Sequence, residues 1–148
     1  MVSATPRRED PHDVTYFRRH RDDDASHSIP GREFLRRCPA GVRAKFQAVL
    51  VAVAAAPPYR FAGGGYWEAM RGDIEVRVDG PKPEGGKGRH HYRLYRLLDY
   101  EAKDVDKPLL VIITGLDKPF RTTMPDGDYV RVRRLGEEYR SRNPRSVA

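Results

Sequence analysis

Leu109-Leu110-Val111-Ile112-Ile113-Thr114 is an unbroken apolar run near the C-terminal end of the chain. Successive side chains of a strand point to opposite faces. A strand that is apolar at every position therefore needs cover on both sides. Residues 109–114 must lie inside a sheet, and the chain must supply layers to pack over it. The strongest such layer lies upstream. Val42, Phe46, Val49, Leu50 and Val53 recur at helical spacing, with Ala filling the intervening turns. That pattern predicts a helix from about Ala40 to Ala56. Pro57-Pro58 ends it, because proline lacks an N–H donor and disfavours helix in the residue before it.

Other elements arrange themselves around these two. Glu33 to Arg37 is sufficient for one or two helical turns, broken by Cys38-Pro39. After the Gly63-Gly64-Gly65 corner, Tyr66 to Met70 reads as a strand. Asp73 to Val78 alternates, with Ile74, Val76 and Val78 on one face and Asp73, Glu75 and Arg77 on the other. Asp79 to Gly88, rich in Gly, Pro and Lys, reads as a loop. His90 to Leu98 resumes as a strand, with His91, Arg93, Tyr95 and Leu97 opposite His90, Tyr92, Leu94, Arg96 and Leu98. Thr123 and Asp126 bracket a capping box for a last helix. Tyr129, Val132, Leu135 and Tyr139 form its buried stripe. The expected fold is α+β: N-terminal helices on a small, mostly antiparallel sheet of three or four strands, closed by a C-terminal helix, with the helices grouped against one sheet face. Residues 1–28 read as a flexible arm in which Val14 to Phe17 can form a short edge strand, and residues 29–148 as one domain. At 148 residues the chain is too short for two comfortable domains.

Charge narrows the function classes. The chain carries 28 Lys plus Arg against 21 Asp plus Glu, a formal net charge of +7. Residues 1–28 hold five Arg and six acids, a net of −1, which leaves +8 on residues 29–148. A positive field on the folding part attracts phosphate backbones, acidic proteins or anionic membranes. One cysteine, Cys38, allows no intrachain disulfide and points to a reducing cytoplasm. Phe46 to Ala56, the longest apolar run, is too short to span a bilayer, and no secretory signal pattern opens the chain. No nucleotide-binding loop, metal cluster or other cofactor signature is present.

Four blocks carry a family resemblance. They are Pro57-Pro58-x-Arg60-Phe61-x-Gly63-Gly64-Gly65-x-Trp67-Glu68-Ala69-Met70, Glu75-Val76-Arg77-Val78-Asp79-Gly80-Pro81, His91-Tyr92-Arg93-Leu94-Tyr95 and Gly115-Leu116-x-Lys118-Pro119-x-Arg121-Thr122. In this order they resemble the phage-derived, Gp49-like branch of the RelE/HigB toxin superfamily, over residues 29–145. The resemblance implies a ribosome-dependent mRNA endonuclease, metal-independent and cytoplasmic, held inactive by a helix-turn-helix antitoxin. The loop from Lys82 to Gly88 is longer and more basic than in the family, and the N-terminal arm has no family counterpart.

Cleavage of this kind drives a ribose 2′-oxygen onto the adjacent phosphate. A base takes the 2′-proton, cations stabilise the phosphorane-like charge, and an acid protonates the leaving 5′-oxygen. Arg93 is the first candidate for the phosphate clamp, beside Arg77, Lys118 and Arg121, since guanidinium binds phosphate bidentately. Each of these also reads as a solvated strand or turn residue. Glu75 is either a general base or a salt-bridge partner of Arg77. Imidazole is the side chain suited to acid–base work near neutral pH, and His91 and His90 alternate faces, so at most one reaches the cleft. Each is either an acid–base group or a contact between strands. Tyr92 and Tyr95 either stack on a base or fill the core. Arg131 and Arg134 on the last helix are candidate RNA contacts or a plain solvated face. Trp67 and Cys38 read as packing residues.

Two other functions fit the same residues. One keeps the fold and inhibits DNA gyrase, as ParE-like toxins do. The other is a non-catalytic phage or host regulator whose basic face binds an acidic protein or a nucleic acid.

Overall fold

The computed structural model describes residues 11–55, 67–70, 73–83, 88–103, 105–119 and 126–148. Strand β1 (Asp13–Tyr16) is followed by helices α1 (Pro30–Arg37) and α2 (Ala40–Ala55). Strands β2 (Trp67–Met70), β3 (Asp73–Pro81), β4 (Arg89–Asp99) and β5 (Leu109–Pro119) come next, and helix α3 (Asp126–Arg140) closes the order. The five strands form one sheet in the order β1-β5-β4-β3-β2. β1 runs parallel to β5, whereas the other neighbours are antiparallel. Asp13–Tyr16 forms an edge strand, close to the Val14 to Phe17 segment that the sequence offers for one, and brings the sheet to five strands.

The helices lie on both faces, which corrects the expectation of a single helical layer. Phe34, Leu35, Val42, Phe46 and Leu50 from α1 and α2 pack with Val76, Val78, Leu94, Leu110 and Ile112. Leu135 and Tyr139 of α3 pack on the other face with Leu97, Leu109, Val111 and Ile113. Val132 and Tyr129 extend this layer over Tyr95 and Leu116. Residues 109–113 are thus buried from both sides, as their composition demands. Tyr129 is only partly buried, at the end of the α3 stripe.

Two local features set the register. α3 opens on Asp126 and Asp128, acids that favour the positive end of the helix dipole; its expected Thr123 cap lies outside the described residues. In β5 the pairing slips: Tyr95 faces Thr114, but Arg96 faces Ile112, so Ile113 has no partner across β4. This is a β-bulge, and an inserted residue reverses the facing of everything beyond it. Leu110 and Ile112 point to α1 and α2, and so does Gly115, against which Phe34 packs closely. Leu116 instead lies with Tyr95 and Val132 under α3.

The segment before α1 is built into this frame. Phe17 is buried against Tyr139, with ring centroids 5.9 Å apart. It also bridges to Val147, so the C-terminal tail closes over β1. Arg19 forks onto Glu138, its Nε and Nη2 donating at 3.0 and 2.9 Å. Asp24 accepts hydrogen bonds from the hydroxyls of Ser28 and Ser26, which hold its carboxyl well below the usual range. At the other end, Asp99 accepts from Tyr139 Oη at 2.7 Å and from Arg145 Nε at 2.9 Å.

Candidate active site on the outer half of the sheet

Two rows of residues cross β3, β4 and β5 beyond the N-terminal end of α3. Asp79 pairs with His91, and His91 with Lys118. One row inward, Arg77 pairs with Arg93, and Arg93 with Leu116. Directly opposed residues share a face. Asp79, His91, Lys118, Arg77 and Arg93 therefore stand on the same face as α3. The bulge decides the membership of Lys118. Without the inserted Ile113, Lys118 would share the facing of Leu110 and Ile112, on the opposite side.

One carboxylate ties two of these groups together. His91 Nδ1–H donates to Asp79 Oδ1 in a short hydrogen bond. Arg93 Nη1 lies 3.8 Å from the same oxygen and donates to the Tyr92 carbonyl at 3.3 Å. A carboxylate accepts and does not donate, so the bond places a His91 proton on Nδ1. Asp79 is the most open of the three, its side chain 44% exposed against 15% for His91 and 9% for Arg93. Arg93 can meet a ligand only with its outer edge, and Arg77 and Lys118 are half-buried beside it.

The chemistry available here is specific. Arg77, Arg93 and Lys118 bring three cations to the face that carries Asp79, a set that suits an anion with distributed charge. A histidine oriented by a carboxylate, adjacent to that cationic ground, can move a proton while the charge is neutralised.

Several sequence candidates are placed elsewhere. His90 lies on the opposite face, where its Nδ1 meets Asp117 Oδ2 at 3.0 Å. The sheet therefore carries a second His–Asp pair, back to back with the first. Tyr92 and Tyr95 are each about 1% exposed, so neither ring is open to a base. Of the two readings open for them, stacking or core, their burial fits the core. Tyr92 fills the core under α1 and α2 and donates its hydroxyl to the Pro81 carbonyl, and Tyr95 fills the core under α3. The backbone of Glu75 stands opposite Tyr95, one row beyond Arg77, and its side chain lies outside the described part. Arg121 also lies outside the described residues. Arg131 and Arg134 are exposed on α3. Cys38 is buried, and burial pushes its thiol up to about 11, as suits a packing residue.

Asp79 is the residue that sequence reasoning missed. The Gly, Pro and Lys of residues 79–88 read as a loop, yet β3 continues to Pro81. The available signal is parity: Asp79 continues the Asp73, Glu75, Arg77 series. Asp117, the partner of His90, lies beyond the apolar run at residues 109–114, and β5 continues through it to Pro119.

No protein-family model matches the chain, and no curated protein or solved structure matches it. Among the described residues, no helix is long and apolar enough to cross a membrane, and no group of His, Cys, Asp and Glu is arranged to hold a metal ion.

Proposed function

We propose that this chain is the toxin of a toxin–antitoxin pair, an endoribonuclease that cuts mRNA on the ribosome. The observation that carries the proposal is the single Asp79 carboxylate shared by His91 and Arg93, flanked by Arg77 and Lys118. The family resemblance of the four sequence blocks supports it. So does an α+β architecture in which N-terminal helices pack on a sheet and a C-terminal helix closes the other side.

In the reaction, His91 Nε2 takes the proton of the ribose 2′-hydroxyl, and the 2′-oxygen attacks the adjacent phosphorus. Arg77, Lys118 and the outer edge of Arg93 stabilise the charge on the equatorial oxygens. The bond to the 5′-oxygen breaks and that oxygen takes a proton from solvent water. The products are a 2′,3′-cyclic phosphate and a 5′-hydroxyl end. The imidazolium releases its proton to solvent. The partners in this scheme are mRNA, the ribosome and a helix-turn-helix antitoxin whose acidic segment would neutralise the basic face.

The test is to express the chain from a tightly repressed promoter and map 5′-hydroxyl ends of cellular mRNA soon after induction. New ends at codon-related positions within translated frames, lost in His91→Gln, support the proposal. Growth arrest with intact mRNA would replace it with a gyrase-directed toxin. Neither arrest nor cleavage would replace it with a non-catalytic binding protein.

A further inference from the structure

A cavity of about 250 Å³ opens between α1, α3 and the segment that leads into α1, away from the Asp79 cluster. Its charged lining consists of Arg19, Glu138, Glu33, Arg131 and Arg134. Arg19 and Glu138 neutralise one another through two hydrogen bonds. Arg131 and Arg134 stand one turn apart on α3, both exposed, and neither side chain is engaged by any described residue. The other acid of the described lining is Glu33. The lining thus carries three guanidinium groups against two carboxylates, an excess of one positive charge.

That charge excess selects for an anion. Two planar guanidinium forks offer several N–H donors to one group, and a tetrahedral phosphate can accept from both. The Arg19–Glu138 pair bridges the N-terminal segment to α3, so the wall behind the two arginines is braced rather than loose. On the same helix, Tyr129 and Val132 cover Tyr95 and Leu116 beside the His91–Arg93 rows. α3 therefore borders both sites.

We propose that this cavity is a phosphate subsite, in which Arg131 and Arg134 together clamp one backbone phosphate of a bound RNA. The RNA part rests on the ribonuclease function proposed above; the phosphate part does not.

Two measurements separate these. First, inorganic phosphate is titrated into the whole protein while the arginine Nε–Hε resonances are followed by NMR. The Arg131 and Arg134 signals should shift together and saturate, and the Arg140 signal should not. Absence of that joint shift overturns the subsite whatever the protein's function is. Second, a short fluorescein-labelled single-stranded RNA is bound to the wild type, to Arg131→Gln/Arg134→Gln and to Arg133→Gln/Arg140→Gln. The cavity variant should bind about tenfold more weakly, and the slope of log affinity against log salt should fall by about 0.7, the loss of one single-strand phosphate contact. The control variant removes the same charge from α3 outside the cavity, and should change affinity by less than half as much on a logarithmic scale. Equal losses in the two variants would overturn the subsite in favour of a diffuse basic field. Joint NMR shifts with no RNA binding by the wild type would keep a site for free phosphate and reject RNA as its source. Unchanged RNA binding with lost binding of an oligoglutamate peptide would overturn it in favour of an acidic protein partner.

Discussion

Asp79 and His91 face each other across β3 and β4, and the carboxylate of the first holds the imidazole Nδ1 of the second. Arg93 approaches the same carboxylate oxygen. One exposed acid therefore orients an imidazole and stands beside a cation two residues further along the strand.

Under the ribonuclease function proposed above, replacing Asp79 with Asn should lower RNA cleavage by about 10²-fold, within the range that positioned acid–base catalysis contributes. The amide can still occupy the space, so the fold should survive. Asp79→Glu should recover part of the rate. Single-turnover cleavage of a ribosome-bound message checks this, and a full rate in Asp79→Asn would remove His91 orientation from the mechanism.

Arg93→Ala is a poor probe of phosphate binding, because Arg93 is buried and removing it takes away packing as well as charge. Urea unfolding should show a loss of about 1–2 kcal/mol, below the usual cost of breaking a buried pair because Asp79 is largely open to water. Arg93→Lys keeps the charge without the fork. It should unfold close to wild type while cleavage falls at least tenfold. Equal stability of Arg93→Ala and wild type would contradict the packing role.

Gly115→Ala and Gly127→Ala should move stability in opposite directions. A Cβ at Gly115 would run into the Phe34 ring between β5 and α1, which should cost about 1–3 kcal/mol by overpacking. At Gly127, in the first turn of α3, a Cβ meets nothing within 4 Å. Alanine there should add about 0.5–1 kcal/mol through helix propensity. Thermal melts of the two variants decide it.

Acid should weaken the clasp that ties the C-terminal segment to the sheet. Burial raises the Asp99 carboxyl, but hydrogen bonds from Tyr139, Arg145 and the Glu101 N–H outweigh it, and the net shift is downward. In the unfolded chain this carboxyl titrates near about 3.9. The folded value lies lower, so its stabilisation is complete above about pH 4 and fades as pH falls through the folded value. Asp99→Asn should cost about 1–3 kcal/mol at pH 7 through the lost charge-assisted bonds, and should flatten the decline of stability below pH 4. Urea midpoints from pH 7 to pH 2 measure both; parallel curves for wild type and variant would rule out this linkage.

Much of this molecule follows from local pattern. The periodicity of Val42 to Val53 with Pro57-Pro58 beyond it sufficed for α2, and the unbroken apolar run at Leu109 sufficed for a strand covered on both faces. The stripe Val132, Leu135, Tyr139 was legible for the same reason, since burial of a helix face depends on spacing alone. His91 and Arg93 were also legible as a pair, because alternation along one strand gives them a common face; that Arg77 shares it depends on the pairing of β3 with β4.

What the sequence could not determine is what depends on pairing between distant strands. Asp79 looked like loop because Gly80-Pro81 is poor strand material in isolation, yet β4 holds it in the ladder through Arg89 and His90. Lys118 joins the site only because Ile113 is left out of the pairing with β4, and no local preference marks one apolar residue of such a run as the extra one. The side on which α3 packs was likewise invisible, since an amphipathic stripe says that a helix is covered but not by which face of the sheet. Local conformational preference determined the elements; register, which arises only when the strands meet, decided which charges share a face.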